Sequence, residues 1–136
     1  MNSQEDKDRQ LVDAALQVRK NAHAPYSGFR VGAALLDDRG DIHTGCNVEN
    51  AAYPEGVCAE ANAIGAMVAA GGRQIVAIAA VGGADGIEAC SPCGGCRQRI
   101  SEFADEHTRV ILVDADESTS SHSIGELLPS SFSLDR

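Results

Sequence analysis

Cys58 and Glu60 stand two residues apart in GVCAEANAIG, residues 56–65, and Cys93 and Cys96 stand three apart in SPCGGCRQ, residues 91–98. Each pair has the means for chemistry. A Cys-x-x-Cys turn brings two thiolates to one tetrahedral metal ion, and Gly94 and Gly95 between the cysteines relieve crowding there. Taken alone, that pair also fits a redox dithiol, half of a structural zinc knuckle, or two small buried side chains. The Cys58–Glu60 pair is more constrained. Residues two apart on a regular helix point to nearly opposite faces, so a pair that works together belongs in the irregular first turn. A thiolate at such a helix start is stabilised by exposed backbone N–H groups and the helix dipole.

Counting ligands separates two kinds of site. A structural zinc needs four protein ligands, whereas a catalytic zinc keeps three and leaves one position for water. Cys58 is the natural third partner for Cys93 and Cys96. Cys90, with two residues between it and Cys93, competes to complete a closed four-thiolate site, and Cys46 at a strand end could do the same. Neither is accompanied by a carboxylate in the way Cys58 is. Glu60 beside Cys58 is placed to take a proton from a metal-activated water and deliver it elsewhere. His23, His43, His107 and His122 show neither ligand spacing nor a carboxylate context, and are expected to be surface or hydrogen-bonded residues.

The pairing of CAE with PCGGC resembles the zinc nucleoside-deaminase signature of Cys or His, any residue, Glu, then Pro-Cys-x-x-Cys. Over nearly its whole length the chain is similar to the small homotetrameric cytidine deaminases. APYSGFRVGAALL (24–36), GCNVENAAY (45–53), SPCGGCRQRI (91–100) and ELLPSSF (126–132) carry the likeness. The resemblance implies one Zn2+ per subunit on Cys58, Cys93 and Cys96, and attack of activated water at C4 of cytosine. Glu60 is then the catalytic proton carrier, serving N3 and later the departing amino group. Cytidine and 2'-deoxycytidine would become uridine and 2'-deoxyuridine with release of ammonia. Asn47 and Glu49 would bind the ribose hydroxyls, and their amide and carboxylate suit a neutral sugar. Phe29 would pack on the pyrimidine, while the backbone at Ala59 and the carbonyl of Ser91 would read the amino group. Phe132 would reach a neighbouring subunit's site and Tyr53 would contribute to a shared one, which makes a homotetramer the expected assembly. A blasticidin S-type or other aminopyrimidine deaminase is the nearest rival, and a non-catalytic zinc scaffold a more distant one. The chain departs from the family at Ala61, where many members carry Arg directly after the catalytic Glu. Arg97, next to Cys96, is expected to supply part of the missing positive charge.

Composition narrows the surroundings. A chain of 136 residues suits one domain, 1–136, and with 43% hydrophobic residues but no Trp its core must be built from Ala, Val, Ile and Leu. Net charge is −9, from 20 acidic and 11 basic residues without a Lys/Arg cluster, so a nucleic-acid partner is not expected. No apolar run reaches about 18 residues, and the N-terminus MNSQEDKDRQ is charged throughout, so neither a membrane span nor a secretory signal is expected. The protein reads as cytoplasmic. There its five cysteines, an odd number, would stay reduced and serve metal or thiol chemistry.

The elements that must hold these residues follow from periodicity. Leu11, Ala14, Ala15 and Val18 fall at helical spacing, which predicts an amphipathic helix over Asp6–His23 ended by Pro25. Arg30–Leu36 and Ile42–Asn47 read as a hairpin around an Asp/Gly turn. Then come an Ala-rich buried helix, Cys58–Ala70, stopped by Gly71-Gly72, the strand IVAIAAVGG, a helix over Cys93–Ala104 and the strand RVILVD from Arg109. Strand, helix and strand in that order imply a parallel pair with a crossover. A weak polar strand at Ser118–Ser123 and a short helix at Ile124–Leu128 complete the reading. The fold class expected is α/β, a three-layer α/β/α cytidine deaminase-like fold with a mixed, roughly five-stranded sheet.

Overall fold

Alternation along the strands sorts the small core into two faces. In the computed structural model, which describes residues 3–135, strands β1 (Arg30–Asp37), β2 (Ile42–Cys46), β3 (Ile75–Gly83), β4 (Arg109–Val113) and β5 (Thr119–Ser123) form one sheet in the order β2-β1-β3-β4-β5. Only β3 and β4 run parallel; the other pairs are antiparallel. Ala34, Leu36, Ala77, Ala79 and Ile111 turn to one face, where Leu11 and Ala15 of helix α1 (Ser3–Arg19) cover them. Ala33, Leu35, Ile78 and Val110 turn to the other, beneath Ala63, Ile64 and Met67 of α2 (Ala59–Ala69) and Ile100 of α3 (Gly94–Glu102). The result is the three-layer α/β/α arrangement with a mixed five-stranded sheet. A 3-10 turn at Tyr53–Glu55 and a last helix, α4 (Ile124–Leu127), complete it. Among the described residues no helix is long and apolar enough to cross a membrane.

Two glycines set how closely the helices approach the hairpin. A Cβ on Gly32 of β1 would lie 2.0 Å from the Ala15 carbonyl oxygen, and one on Gly45 of β2 would lie 2.4 Å from the Ala63 nitrogen. No side chain fits either place, so α1 and α2 lie directly on the backbone of the strands.

Helix α1 begins and ends earlier than its apolar spacing predicts, and Pro25 does not terminate it. The chain leaves the helix after Arg19 through turns at Lys20 and Asn21 because His23 is needed in a bridge: its N–H donates to the Asn47 carbonyl at 3.0 Å, and Glu49 N–H donates to the His23 carbonyl at 2.8 Å. Strand β2 correspondingly stops at Cys46, although Asn47 N–H still donates to the Val31 carbonyl at 3.1 Å. The 3-10 turn at Tyr53–Glu55 lies in a segment whose sequence predicts only a loop. Val48 and Val57 exchange both backbone hydrogen bonds at 2.9 Å, closing the 48–57 loop immediately before Cys58.

At the far end of the sheet Asp37 is 1% exposed, and His43 has the carboxylate context that its local sequence did not suggest. Asp37 Oδ1 accepts from the N–H groups of Arg39 and Asp41, each at 2.9 Å. Its Oδ2 contacts His43 Nε2 at 2.9 Å and Arg39 Nη2 at 3.4 Å. Asp37, Asp41 and His43 are grouped closely enough to surround a cation, but these donors already satisfy the Asp37 oxygens. Burial pushes the Asp37 carboxyl up; the bonds from His43, Asp41 and Arg39 outweigh it and bring the pKa down from 3.8 to about 2. A depressed carboxylate contributes stability above its unfolded pKa and loses it as pH falls through the folded value. Between about pH 4 and pH 2 the wild type should therefore lose ~2 kcal/mol more than Asp37→Asn, measured by urea unfolding across that range. Parallel pH profiles for the two proteins would contradict this.

Candidate metal centre and proton-transfer site

The sheet ends and helix starts that carry the cysteines meet at the edge opposite Asp37. Cys58 is the N-cap of α2 and Cys93 the N-cap of α3, both extended in backbone conformation. Cys96 lies in the first turn of α3 and is fully buried. The three Sγ atoms lie within 4.8 Å of one another, and neither Cys90 nor Cys46 joins them among the described residues. A tetrahedral zinc with bonds of about 2.3 Å holds its sulfurs about 3.8 Å apart, and the trio is grouped closely enough to surround one such ion.

The thiols are not equivalent. The Cys96 and Gly95 N–H groups, with help from the neighbouring thiols, hold Cys93 below the usual thiol range. Burial pushes Cys58 and Cys96 up, and Glu60 and Cys93 add to both; the bond with Cys96 offsets part of the rise at Cys58. A divalent ion reverses that balance, because a coordinating thiol is deprotonated outright. Cys90 is raised to about 11, by burial first and by the Glu60 charge second, which keeps it a neutral thiol.

Glu60, in the first turn of α2, is 5% exposed, and burial raises its pKa against smaller lowering effects of a backbone N–H and the Arg99 charge. It lines a cavity of about 220 Å³ together with Phe29, Val31, Asn47, Cys58, Ala59, Cys90, Ser91 and Cys93. Most of the residues singled out by the sequence therefore share one cavity with Glu60. Cys96 belongs to the sulfur trio at its wall.

Three others stand apart. Glu49 lines a neighbouring groove with Tyr26, Ser27, Asn50, Tyr53 and Gly56. Its Oε1 accepts from the N–H groups of Tyr26 at 2.9 Å and Ser27 at 3.1 Å, and its Oε2 accepts from the Ser27 hydroxyl. The Ser27 hydroxyl and N–H hold its pKa below the usual carboxylate range, so it is a fixed anion. Tyr53 is 75% exposed and stacks edge-on against Tyr26, with ring centroids 5.8 Å apart. Phe132 is 69% exposed; its carbonyl accepts from Gln98 Nε2 at 3.0 Å, and its ring does not line the cavity of its own chain. Asn47 lines the cavity but braces it as well: Oδ1 accepts from Val31 N–H at 2.8 Å and Nδ2 donates to the Phe29 carbonyl at 2.9 Å.

The expected role of Arg97 is not what the structure shows. Its guanidinium donates to the carbonyls of Pro92 at 2.8 Å and Leu127 at 2.7 Å and to Ser91 Oγ at 2.7 Å, and makes no contact with sulfur. Arg97 ties the Ser91-Pro92 loop to the end of α4. Arg19 works similarly from α1, donating to the carbonyls of Arg30 at 3.1 Å, Gly83 at 2.8 Å and Gly86 at 3.1 Å. Sequence reading missed Arg19, and no local pattern around it signals a role so far along the chain.

Residues 5–113 match the family described as the cytidine and deoxycytidylate deaminase zinc-binding region. The chain is 41% identical over 129 residues to a cytidine deaminase of Halalkalibacterium halodurans, covering 94% of this chain and 96% of that one. It is 39% identical to a cytidine deaminase of Mycobacterium tuberculosis, over 89% of this chain and 86% of that one. A crystal structure of cytidine deaminase from Burkholderia pseudomallei superposes with a TM-score of 0.83 at 40% identity, covering 97% of this chain and all of that one. Because the family match runs through both cysteine turns and the strand between them, the chain belongs to the cytidine and deoxycytidylate deaminase zinc-binding family.

Proposed function

We propose that the protein is a zinc-dependent cytidine deaminase that hydrolyses cytidine and 2'-deoxycytidine to the uracil nucleosides and ammonia. The observation that carries this reading is one cavity holding both the three-sulfur cluster and the buried carboxyl of Glu60. Cys58, Cys93 and Cys96 would hold the ion. When bound, zinc supplies a Lewis acid that lowers the pKa of water toward neutrality.

Everything else falls to the chain. Adding water at C4 forms a C–O bond and requires a proton at N3; breaking the C4–N bond then requires a proton on the departing nitrogen. Glu60 carries both: it takes one proton from water and gives it to N3, then takes the second from the C4 hydroxyl as the C4=O bond forms and gives it to the departing amino group, so that it ends the cycle as it began. Its burial favours the protonated state that must form midway. Phe29 packs on the pyrimidine, and the Ala59 backbone and Ser91 carbonyl fix the amino group. Asn47 and Glu49 present acceptors to the sugar hydroxyls, Glu49 as an anion held in place by the Tyr26-Ser27 turn. The exposed rings of Tyr53 and Phe132, and Leu134 at 74% exposure, fit contacts with further copies in a homotetramer whose sites are shared. The single domain takes a small nucleoside in the cytoplasm and needs neither nucleic acid nor a membrane.

Ammonia release from cytidine, deoxycytidine, cytosine, CMP and blasticidin S tests the substrate. Turnover of the two nucleosides is expected. Activity confined to CMP would replace the nucleoside reading with a nucleotide one, and activity confined to blasticidin S would make the protein an antibiotic deaminase.

A further inference from the structure

A divalent ion held by three thiolates carries one net negative charge, and at a partly buried site uncompensated charge is costly. A cation or N–H donor at the sulfurs is needed, and Arg97 is committed elsewhere. Arg99 is not. Its Nη1 lies 3.6 Å from Cys96 Sγ, three residues back along α3, a spacing that places the two side chains on one face.

Gly95 leaves the approach open. A Cβ there would meet Arg99 Nη1 at 3.3 Å and Cys93 Sγ at 3.9 Å, so the guanidinium lies over Gly95, which also borders the Cys93 sulfur. The glycines of Cys-Gly-Gly-Cys therefore do more than loosen a turn: the second one leaves room for a cation. A simpler account is that Arg99, in the last turn of α3, complements the negative end of the helix dipole. The side chain instead runs back to the first turn, where that dipole opposes a positive charge. What it gains there is the thiolates.

Resting on the metal reading above, we infer that Arg99 is a positioning residue for the zinc centre, donating to Cys96 Sγ and offsetting the surplus negative charge of the three-thiolate set. A hydrogen-bonded thiolate gives up less charge to its metal, so the bond tunes the ion as well as retaining it.

The test uses full-length protein reconstituted with zinc, and in parallel with Co2+, whose thiolate charge-transfer bands report on the sulfurs. Arg99→Gln should lower zinc affinity about 10–100-fold in competition with a chromophoric chelator and move the cobalt–thiolate band to lower energy. Arg99→Lys, which keeps the charge but loses the planar fork, should recover part of both. Arg73→Gln is the control: Arg73 donates only to the Val68 and Gly72 carbonyls at the other end of α2, and the variant should match wild type. Wild-type affinity and an unshifted band in Arg99→Gln would overturn the inference. If Arg99→Gln fails to fold, an unshifted band and unchanged affinity in Arg99→Lys would overturn it equally. Wild-type protein that takes up neither zinc nor cobalt would instead overturn the metal reading on which the inference stands.

Discussion

Glu60→Gln should retain one zinc per chain and a native unfolding transition while kcat for cytidine falls about 10²–10⁴-fold, the span attributable to a positioned general acid–base. Glutamine keeps the size and hydrogen-bonding reach of the side chain, so the buried pocket at the start of α2 is not emptied. What it removes is the capacity to carry a proton. The proposed reaction needs a proton at each of two successive atoms, and no other ionisable group lining the cavity can shuttle them, since Cys90 is held as a neutral thiol and Cys58 and Cys93 are proposed metal ligands. The loss should therefore appear in kcat, with KM little changed, because glutamine still fills the space beside the base. Zinc content measured beside ammonia release separates the outcomes. A variant that loses zinc would make Glu60 a ligand of a closed site. One that keeps both zinc and turnover would move the proton carrier elsewhere.

How much of this was legible beforehand depended on whether the information was local. The strands and buried helices were readable because alternation and helical spacing are short-range: Ala33 and Leu35 face one way, Ala34 and Leu36 the other, and a five-stranded mixed sheet follows from their order. The cysteine trio was readable because two of its members share a turn and the third has Glu60 beside it. Arg97 shows the limit. Adjacency to Cys96 in sequence suggested a charge for the metal, yet successive helical residues point about 100° apart, and Arg97 turns to Pro92 and Leu127 while Arg99 returns to the sulfur. The end of α1 was misplaced for a related reason. Pro25 is a local stop signal, but the helix ends well before it, at Arg19, because His23 must pair with Asn47 and Glu49 across the chain. The Asp37–His43 contact was invisible in the same way, since it forms only when the hairpin closes. Glu49, Tyr53 and Phe132 could be singled out by resemblance, but their places outside the cavity needed coordinates.

Cys96→Ala and Cys90→Ala, two replacements of the same residue type on opposite sides of the ligand count, should diverge. An apparent binding energy of about 10–16 kcal/mol for a structural zinc amounts to roughly 3–4 kcal/mol for each ligand, or about 10²–10³-fold in affinity. Cys96→Ala should incur that loss and become inactive once excess zinc is removed. Its side chain is also fully buried, so the metal-free variant should be destabilised by about 1 kcal/mol relative to metal-free wild type. Cys90→Ala should keep one zinc per chain at wild-type affinity. Its sulfur lies outside the trio, and burial keeps it protonated, whereas a ligand must give up its proton. A methyl group in its place still packs near Gly82, where a Cβ would come within 2.9 Å of the Cys90 sulfur, so little of the cavity wall is lost. Zinc titration of the two variants decides between three ligands and four. Equal losses would close the coordination sphere with a fourth thiolate and leave no position for water, and a closed ion would hold the fold together without taking part in deamination.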